Sequence, residues 1–213
     1  MARLLRKRGA RVTVCDIRQA AVDALVNDHG CESVAIDDHL DVECDIYGPG
    51  ARGAGINDDT IPQISAEVIC GCANNQLLAP RHGDVLREKG ILYAPDYVVN
   101  AAGIINVSCE RLEGGYDEEE AMRRIERSGP NLKAIFEIAD RDGISTNVAS
   151  QRLAEQRLAD ARQPSREGPS SAGSTTTLRR IPRSTRPGPS IHWTAPASSS
   201  FSAVAPRALR RRL

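Results

Sequence analysis

Arg11-Val12-Thr13-Val14-Cys15-Asp16 is a short β-branched run that ends on an acid. Gln19 to His29 follows at once, with Ala21, Val22, Leu25 and Val26 on one helical face. Gly30 suits the left-handed stop of that helix. A strand, an acid at its carboxyl end and an amphipathic helix form the repeating half-unit of a parallel α/β sheet. The alternation continues outward. Glu32 to Ile36 and Val42 to Tyr47 read as strands, the second closed by Gly48-Pro49-Gly50. Thr60 to Ser65 reads as a short helix, Glu67 to Cys70 as a buried strand, Gly83 to Lys89 as a helix and Ile91 to Tyr93 as a strand. Elements alternating at such short intervals predict a Rossmann-like, doubly wound parallel sheet covered on both faces.

After Tyr97 the pattern turns helical. Val98 to Leu112 and Asp117 to Arg141 are predicted helices, with Met122, Ile125, Ile135, Phe136 and Ile138 on the core side. Gly129-Pro130 should break or kink the second. Ser145 or Thr146 can cap a last helix running to about Ala161. Residues 1–161 thus form one expected unit, and residues 162–213 a second of different character. That tail carries ten Arg, ten Ser, seven Pro and a single acid, Glu167, with no Lys and no Cys. Few large apolar residues are present to offset its ordering entropy, so it is expected to be disordered and outside the fold.

The zero net charge of the whole chain conceals this division, because residues 1–161 keep 18 basic and 27 acidic side chains. Arg210-Arg211-Arg212 could mark a basic arm for nucleic acid. No aromatic or folded nucleic-acid motif accompanies it, so nucleic acid is not the expected partner. An Arg-, Pro-, Ser- and Ala-rich tail without Lys is also what a shifted reading frame in a GC-rich gene would yield. No window reaches the roughly 18 apolar residues needed to span a bilayer. The six cysteines form no C-x-x-C pair, so no metal site is expected, and a reducing, cytoplasmic setting fits them best. There is no G-x-S-x-G, H-E-x-x-H or G-x-x-x-x-G-K-[ST].

In a doubly wound sheet, ligands bind outside the carboxyl ends of the strands. Asp16 stands at such an end, where an acid accepts hydrogen bonds from adenosine ribose hydroxyls and repels a 2′-phosphate, favouring NAD over NADP. The alternative is a cap for the following helix. Asn74 and Asn75 follow the strand ending near Cys70, within reach of a nicotinamide ribose, or they are turn residues. Asn100 follows the last strand and could bond a carboxamide or an amine, or could cap a helix. His82 beside Arg81 reads as a surface pair. Gly53-Ala54-Gly55 lacks a third glycine and reads as a turn. The glycine fingerprint for pyrophosphate should lie about 20 residues before Asp16, and only 15 residues precede it.

Gly90-Ile-Leu-Tyr-Ala-Pro-Asp-Tyr-Val-Val-Asn-Ala-Ala-Gly103 is the most specific stretch of the chain. With Asn57-Asp-Asp-Thr-Ile-Pro62, Asn74-Asn-Gln-Leu77 and Ala154-Glu-Gln-Arg157, it resembles the glutamate/leucine/phenylalanine/valine dehydrogenase family, above all its leucine and valine members. The resemblance covers about residues 1–160 and implies only the C-terminal, NAD-binding part. It implies reversible oxidative deamination of a branched-chain L-amino acid to the 2-oxo acid and ammonia, with NAD as cofactor and a homo-oligomer as the intact assembly. It assigns Asp16 to the ribose, Asn74 and Asn75 to the nicotinamide ribose, Asn100 to the substrate amine and nicotinamide, and Ile104 and Val107 to the substrate side-chain pocket. It places the catalytic lysine in a domain this chain does not contain, so no catalytic residue is expected here. Ala102-Gly103, where the family usually has two glycines, and Gly129-Pro130 depart from its pattern.

By this resemblance the fold's first strand, central in a 3-2-1-4-5-6 order, precedes Met1. Two half-sheets would then each expose an unpaired edge, and the chain alone would bind NAD weakly or not at all and turn over nothing. The alternative is a non-catalytic fragment or pseudoenzyme that associates with full-length dehydrogenase subunits.

Overall fold

The computed structural model describes residues 1–50, 53–112 and 114–162, and the backbone of 202–205. In chain order the elements are α1 (Ala2–Lys7), β1 (Thr13–Cys15), α2 (Gln19–His29), β2 (Glu32–Ser33), β3 (Ile46–Gly48), β4 (Val68–Ile69), α3 (His82–Glu88), β5 (Leu92–Tyr93), α4 (Asp96–Val99), α5 (Ala102–Cys109), α6 (Glu118–Glu126), α7 (Ser128–Asp142), α8 (Thr146–Arg162) and β6 (Ser202–Ala205). The strands form one six-stranded sheet in the order β2-β1-β6-β3-β4-β5.

β1 pairs parallel with β2, and β3, β4 and β5 pair parallel with one another. β6 lies between the two groups and is antiparallel to both β1 and β3. A strand antiparallel to both makes β1 and β3 point the same way, so all five strands from β1 to β5 share one direction. Their carboxyl ends therefore lie along one edge of the sheet. Thr13 faces Val204 and Val14 faces Ala203 on one side, while Ile46 faces Ala205 and Tyr47 faces Val204 on the other.

This overturns three expectations. The sheet is mixed, not purely parallel, and it is not two halves with bare inner edges. Nor does the tail lie wholly outside the fold. β1 and β3 are spaced for one strand between them, and Ser202–Ala205 fills that place and pairs with both. Residues 163–201 and 206–213, which hold most of the expected disordered tail and the Arg210–Arg212 cluster, lie outside the described residues.

The core divides along the sheet. Ile56, Ile69 and Leu86 are fully buried around β3–β5, together with Tyr47, Ile91 and Tyr93. Burial of each such aliphatic side chain is worth about 1.5–3 kcal/mol. Val12, Val14 and Val22 form a second cluster under α1 and α2. Ile135, Ala139 and Ala149 knit α7 to α8. α2 ends on Gly30, which adopts the left-handed conformation at φ 63° as its position required. Asp117 caps α6 by accepting the backbone N–H groups of Glu119 and Glu120.

Local departures have local causes. Residues 57–65 form a chain of turns, not a helix, tied together by the Asn57 and Thr60 side chains. The continuous helix expected from Val98 is divided at Asn100–Ala101 into α4 and α5. The break near Gly129-Pro130 falls instead at Arg127, so Pro130 occupies the first turn of α7, where its missing N–H has no intrahelical partner to lose. Met122 is half exposed, not core. Ser145 precedes α8, but its buried hydroxyl finds no partner among the described residues and does not cap the helix.

His82 is fully buried, which corrects its reading as a surface residue. Its Nδ1 accepts the Ala79 N–H at 3.0 Å, which places the ring proton on Nε2, 3.4 Å from Asp58 Oδ1. Arg81 grips the same carboxylate with both guanidinium nitrogens. That grip, assisted by His82, lowers Asp58 from 3.8 to about 2. The stabilisation it carries is complete above the ordinary value and disappears as pH falls through about 2. A carbon-detected NMR titration of Asp58 should give a midpoint near 2, and Arg81→Gln should move it back toward 3.8.

Candidate functional site

Asp16 directly follows β1, and its residue is 7 % exposed. Oδ1 accepts the Arg18 backbone N–H at 2.8 Å, an Asx-type turn that fixes the carboxylate as the chain swings into α2. Oδ2 is buried and has no partner among the described residues. A buried carboxylate oxygen without a bond is costly, and a donor reaching it would remove that cost. It lines a cavity of about 420 Å³ with Ile17, Gln19, Val34 and Ile36. The size falls within the range of ligand pockets, and the lining of this open cleft is evenly divided between polar groups, Gln19 and Ser33 beside Asp16, and the apolar Ile17, Val22, Val34 and Ile36. Ile17, Val34 and Ile36 could not be grouped from the sequence, because the strand expected over residues 32–36 ends at Ser33 and Ile36 opens a short 3-10 helix, Ile36–Asp38.

At the same edge of the sheet, the loop after β4 meets the turn after β5. Asn100 closes α4, where its side-chain amide donates to Asn74 Oδ1 at 2.7 Å and to the Ala73 carbonyl at 3.4 Å. Asn75 adopts a left-handed φ of 51°, which asparagine tolerates better than most residues. Its N–H donates to Asp96 Oδ2 at 2.7 Å, and its carbonyl accepts the Ala54 N–H at 2.6 Å. The Gly53–Ala54 turn thus lies directly beneath this loop. A Cβ on Gly53 would stand 2.8 Å from the carbonyl oxygens of Asn74 and Asn75. Gln76, almost fully buried, braces the loop from inside by donating to the Gly71 and Ala73 carbonyls.

The structure therefore brings Asn74, Asn75 and Asn100 together, and sets Asp16 on the same edge at the opposite wing of the sheet. Ile104 and Val107 lie on α5, one turn apart, and are 76 % and 57 % exposed. Asp96 and Tyr93, to which sequence patterns gave no role, prove to be the buried partners of the loop. Of the three lysines, Lys7 and Lys133 are exposed on helices, and Lys89 donates to the carbonyls of Ile61, Pro62 and Ile64. Among the described residues no group of three metal-ligating side chains occurs, and no helix is long and apolar enough to cross a membrane.

Five strands of common direction, helices between them and polar side chains gathered along their carboxyl ends define an α/β protein. The crystal structure of L-tryptophan dehydrogenase from Nostoc punctiforme superposes with a TM-score of 0.72 at 39 % identity, over 75 % of this chain and 48 % of that one. The chain belongs to the Glutamate/Leucine/Phenylalanine/Valine dehydrogenase family, whose model matches residues 2–165. Leucine dehydrogenase of Bacillus cereus is 49 % identical over 149 residues, 70 % of this chain and 40 % of the relative. Valine dehydrogenase of Streptomyces coelicolor is 44 % identical over 148 residues, 68 % and 40 % of the two chains. The chain thus spans about 40 % of the length of these relatives.

Proposed function

We propose that this chain is the C-terminal, nucleotide-binding part of an NAD-dependent amino-acid dehydrogenase with a Rossmann-like sheet. Its substrate would be a branched-chain L-amino acid of the leucine or valine type, converted to the 2-oxo acid and ammonia. One observation carries the reading. An unpartnered buried carboxylate oxygen on Asp16 and the linked amides of Asn74 and Asn100 occupy opposite wings of one sheet edge, as the two ends of a dinucleotide require.

The bound NAD would accept the hydride from the amino acid's α-carbon. The chain's own residues bind and orient. Asp16 Oδ2 would accept from a ribose hydroxyl, and its charge would repel a 2′-phosphate. With Asn100 Nδ2 already donated to Asn74 Oδ1, the remaining polar atoms are Asn100 Oδ1, an acceptor, and Asn74 Nδ2, a donor. A primary carboxamide presents the complementary pair. Ile104 and Val107 would offer an apolar wall to the substrate side chain. A methylene is worth only about 1–3 kcal/mol of discrimination, so such a wall suits leucine, valine and isoleucine alike. Lys89 is tied to the carbonyls of Ile61, Pro62 and Ile64, and no contact joins Lys7 or Lys133 to Asn74 or Asn100 among the described residues. The groups that bind the carboxylate and move the amine proton would then come from another segment, and the whole enzyme would assemble as a homo-oligomer.

The reading is tested at Asp16. Ligand-observed and amide-shift NMR with AMP should perturb Ile17, Val34 and Ile36 at millimolar concentration. Asp16→Asn should weaken AMP about tenfold, since hydrogen bonds to a charged group are worth about 1.5–3 kcal/mol against roughly 1 for neutral ones. It should also reduce the preference for AMP over its 2′-phosphate analogue. Unmoved resonances at those three residues, or equal affinity in the variant, would remove the adenosine site.

A further inference from the structure

Asp96 is 8 % exposed and stands at the start of α4, outside every role assigned above. Burying a carboxylate is costly unless its oxygens are bonded. Both are. Oδ1 accepts the Tyr93 hydroxyl at 2.9 Å, and Oδ2 accepts the Asn75 N–H at 2.7 Å. Tyr93 is itself buried, and burial followed by the adjacent Asp96 charge raises its phenol, so it remains a proton donor. Its carbonyl accepts the Thr146 hydroxyl at 2.7 Å. A continuous line of hydrogen bonds therefore runs from the start of α8, through β5 and α4, to the loop after β4.

We infer that Asp96 is a positioning residue that sets the Asn74–Asn75 loop against Asn100. The peptide of Asn75 is held from both sides, its N–H by Asp96 and its carbonyl by the Ala54 N–H. Asn100, four residues after Asp96, holds the preceding residue through Asn74 Oδ1. Residues four apart on one helical turn thus clasp two successive residues of one loop. Charge-assisted bonds are shorter and about twice as strong as neutral ones, which makes the Asp96 bond the stiffer of the two clasps. Without it, the Asn75 N–H faces a gap where water must enter, and a residue at positive φ loses the contact that holds it there. Asn74 would then leave the register in which Asn100 receives it. The consequence for ligand binding rests on the proposed nicotinamide reading of Asn74 and Asn100; the clasp itself does not.

The two are separated by testing Asp96→Ala and Asp96→Asn in the full chain. Asparagine can keep both contacts, with its oxygen toward the Asn75 N–H and its amide toward a rotated Tyr93 hydroxyl. In hydrogen exchange, the Asn75 amide should lose at least tenfold of its protection in the alanine variant and recover most of it in the asparagine variant. Nicotinamide mononucleotide and AMP are then titrated separately. The alanine variant should weaken the mononucleotide tenfold or more and leave AMP unchanged, with asparagine rescuing. Unaltered Asn75 protection in the alanine variant, or equal losses for both ligands, overturns the positioning role. If the unmodified chain fails to bind the mononucleotide while Asn75 protection responds as expected, the clasp stands and the nicotinamide reading falls.

Discussion

Ending the chain after residue 201 should strip hydrogen-exchange protection from β1 and β3 together, although neither is near the cut in sequence. β6 is the only described strand that joins the β1–β2 pair to β3–β5, and it pairs along both of its edges. Each backbone hydrogen bond contributes about 1 kcal/mol net. Loss of two or three lowers the opening free energy by about 2–3 kcal/mol, on the order of 100-fold in protection. The gain from β6 is partly offset by the cost of ordering it, about 1–2 kcal/mol per residue. Global stability should therefore fall less than local protection does. The bared edges are templates for pairing between molecules, so the shortened chain should also aggregate with a steep concentration dependence. Val204→Pro is a finer cut, because proline in a central strand removes a ladder donor. Unchanged protection at Thr13–Cys15 and Ile46–Gly48 in both variants would mean that β6 is not a working part of the sheet.

Gly71→Ala should be among the most damaging single changes in the chain, by about 3 kcal/mol, the upper end of what overpacking typically costs. The loops leaving β3 and β4 touch at this residue. A Cβ there would collide with the backbone nitrogen and oxygen of Pro49 and stand 2.6 Å from Pro49 Cδ. Neither partner is the free end of a side chain, so only the backbone can yield. The Ala73 N–H bond to the Pro49 carbonyl, at 3.0 Å, and the Gln76 bond to the Gly71 carbonyl, at 2.8 Å, would shift with it. Both hold the loop that carries Asn74 and Asn75, so nicotinamide mononucleotide binding should fall with stability. Gly103→Ala supplies the contrast. Gly103 is the second residue of α5, with nothing within 4 Å of its missing Cβ, and alanine there should stabilise by about 0.5 kcal/mol, the low end of the helix-interior gain. Urea denaturation with an unchanged slope and oppositely shifted midpoints would bear out both; equal midpoints would refute the packing argument.

What could be read from the sequence was whatever the chain decides over a few neighbouring residues. The β-branched run before Asp16, the apolar face of α2, the stop at Gly30 and the position of β5 follow from local periodicity and from glycine's tolerance of positive φ. Asp16, Asn74 and Asn100 were legible as candidates because strand ends can be counted. Their arrangement was not. Val98 to Gly103 contains nothing that breaks a helix strongly, yet the helix divides at Asn100, whose side chain bonds a loop some 26 residues away in sequence. Asp96 and His82 look like ordinary surface residues until their partners, Asn75, Tyr93 and Asp58, are brought to them by the sheet.

The middle of the sheet was decided at the longest range of all. The sequence by itself determined that strands flank a central position. Only the tertiary structure decided that Ser202–Ala205 fills it, and fills it antiparallel. A four-residue segment has too little apolar periodicity to announce itself. It becomes a strand because β1 and β3 lie at the spacing that admits one chain between them, and Ser202–Ala205 pairs with the inner edge of each.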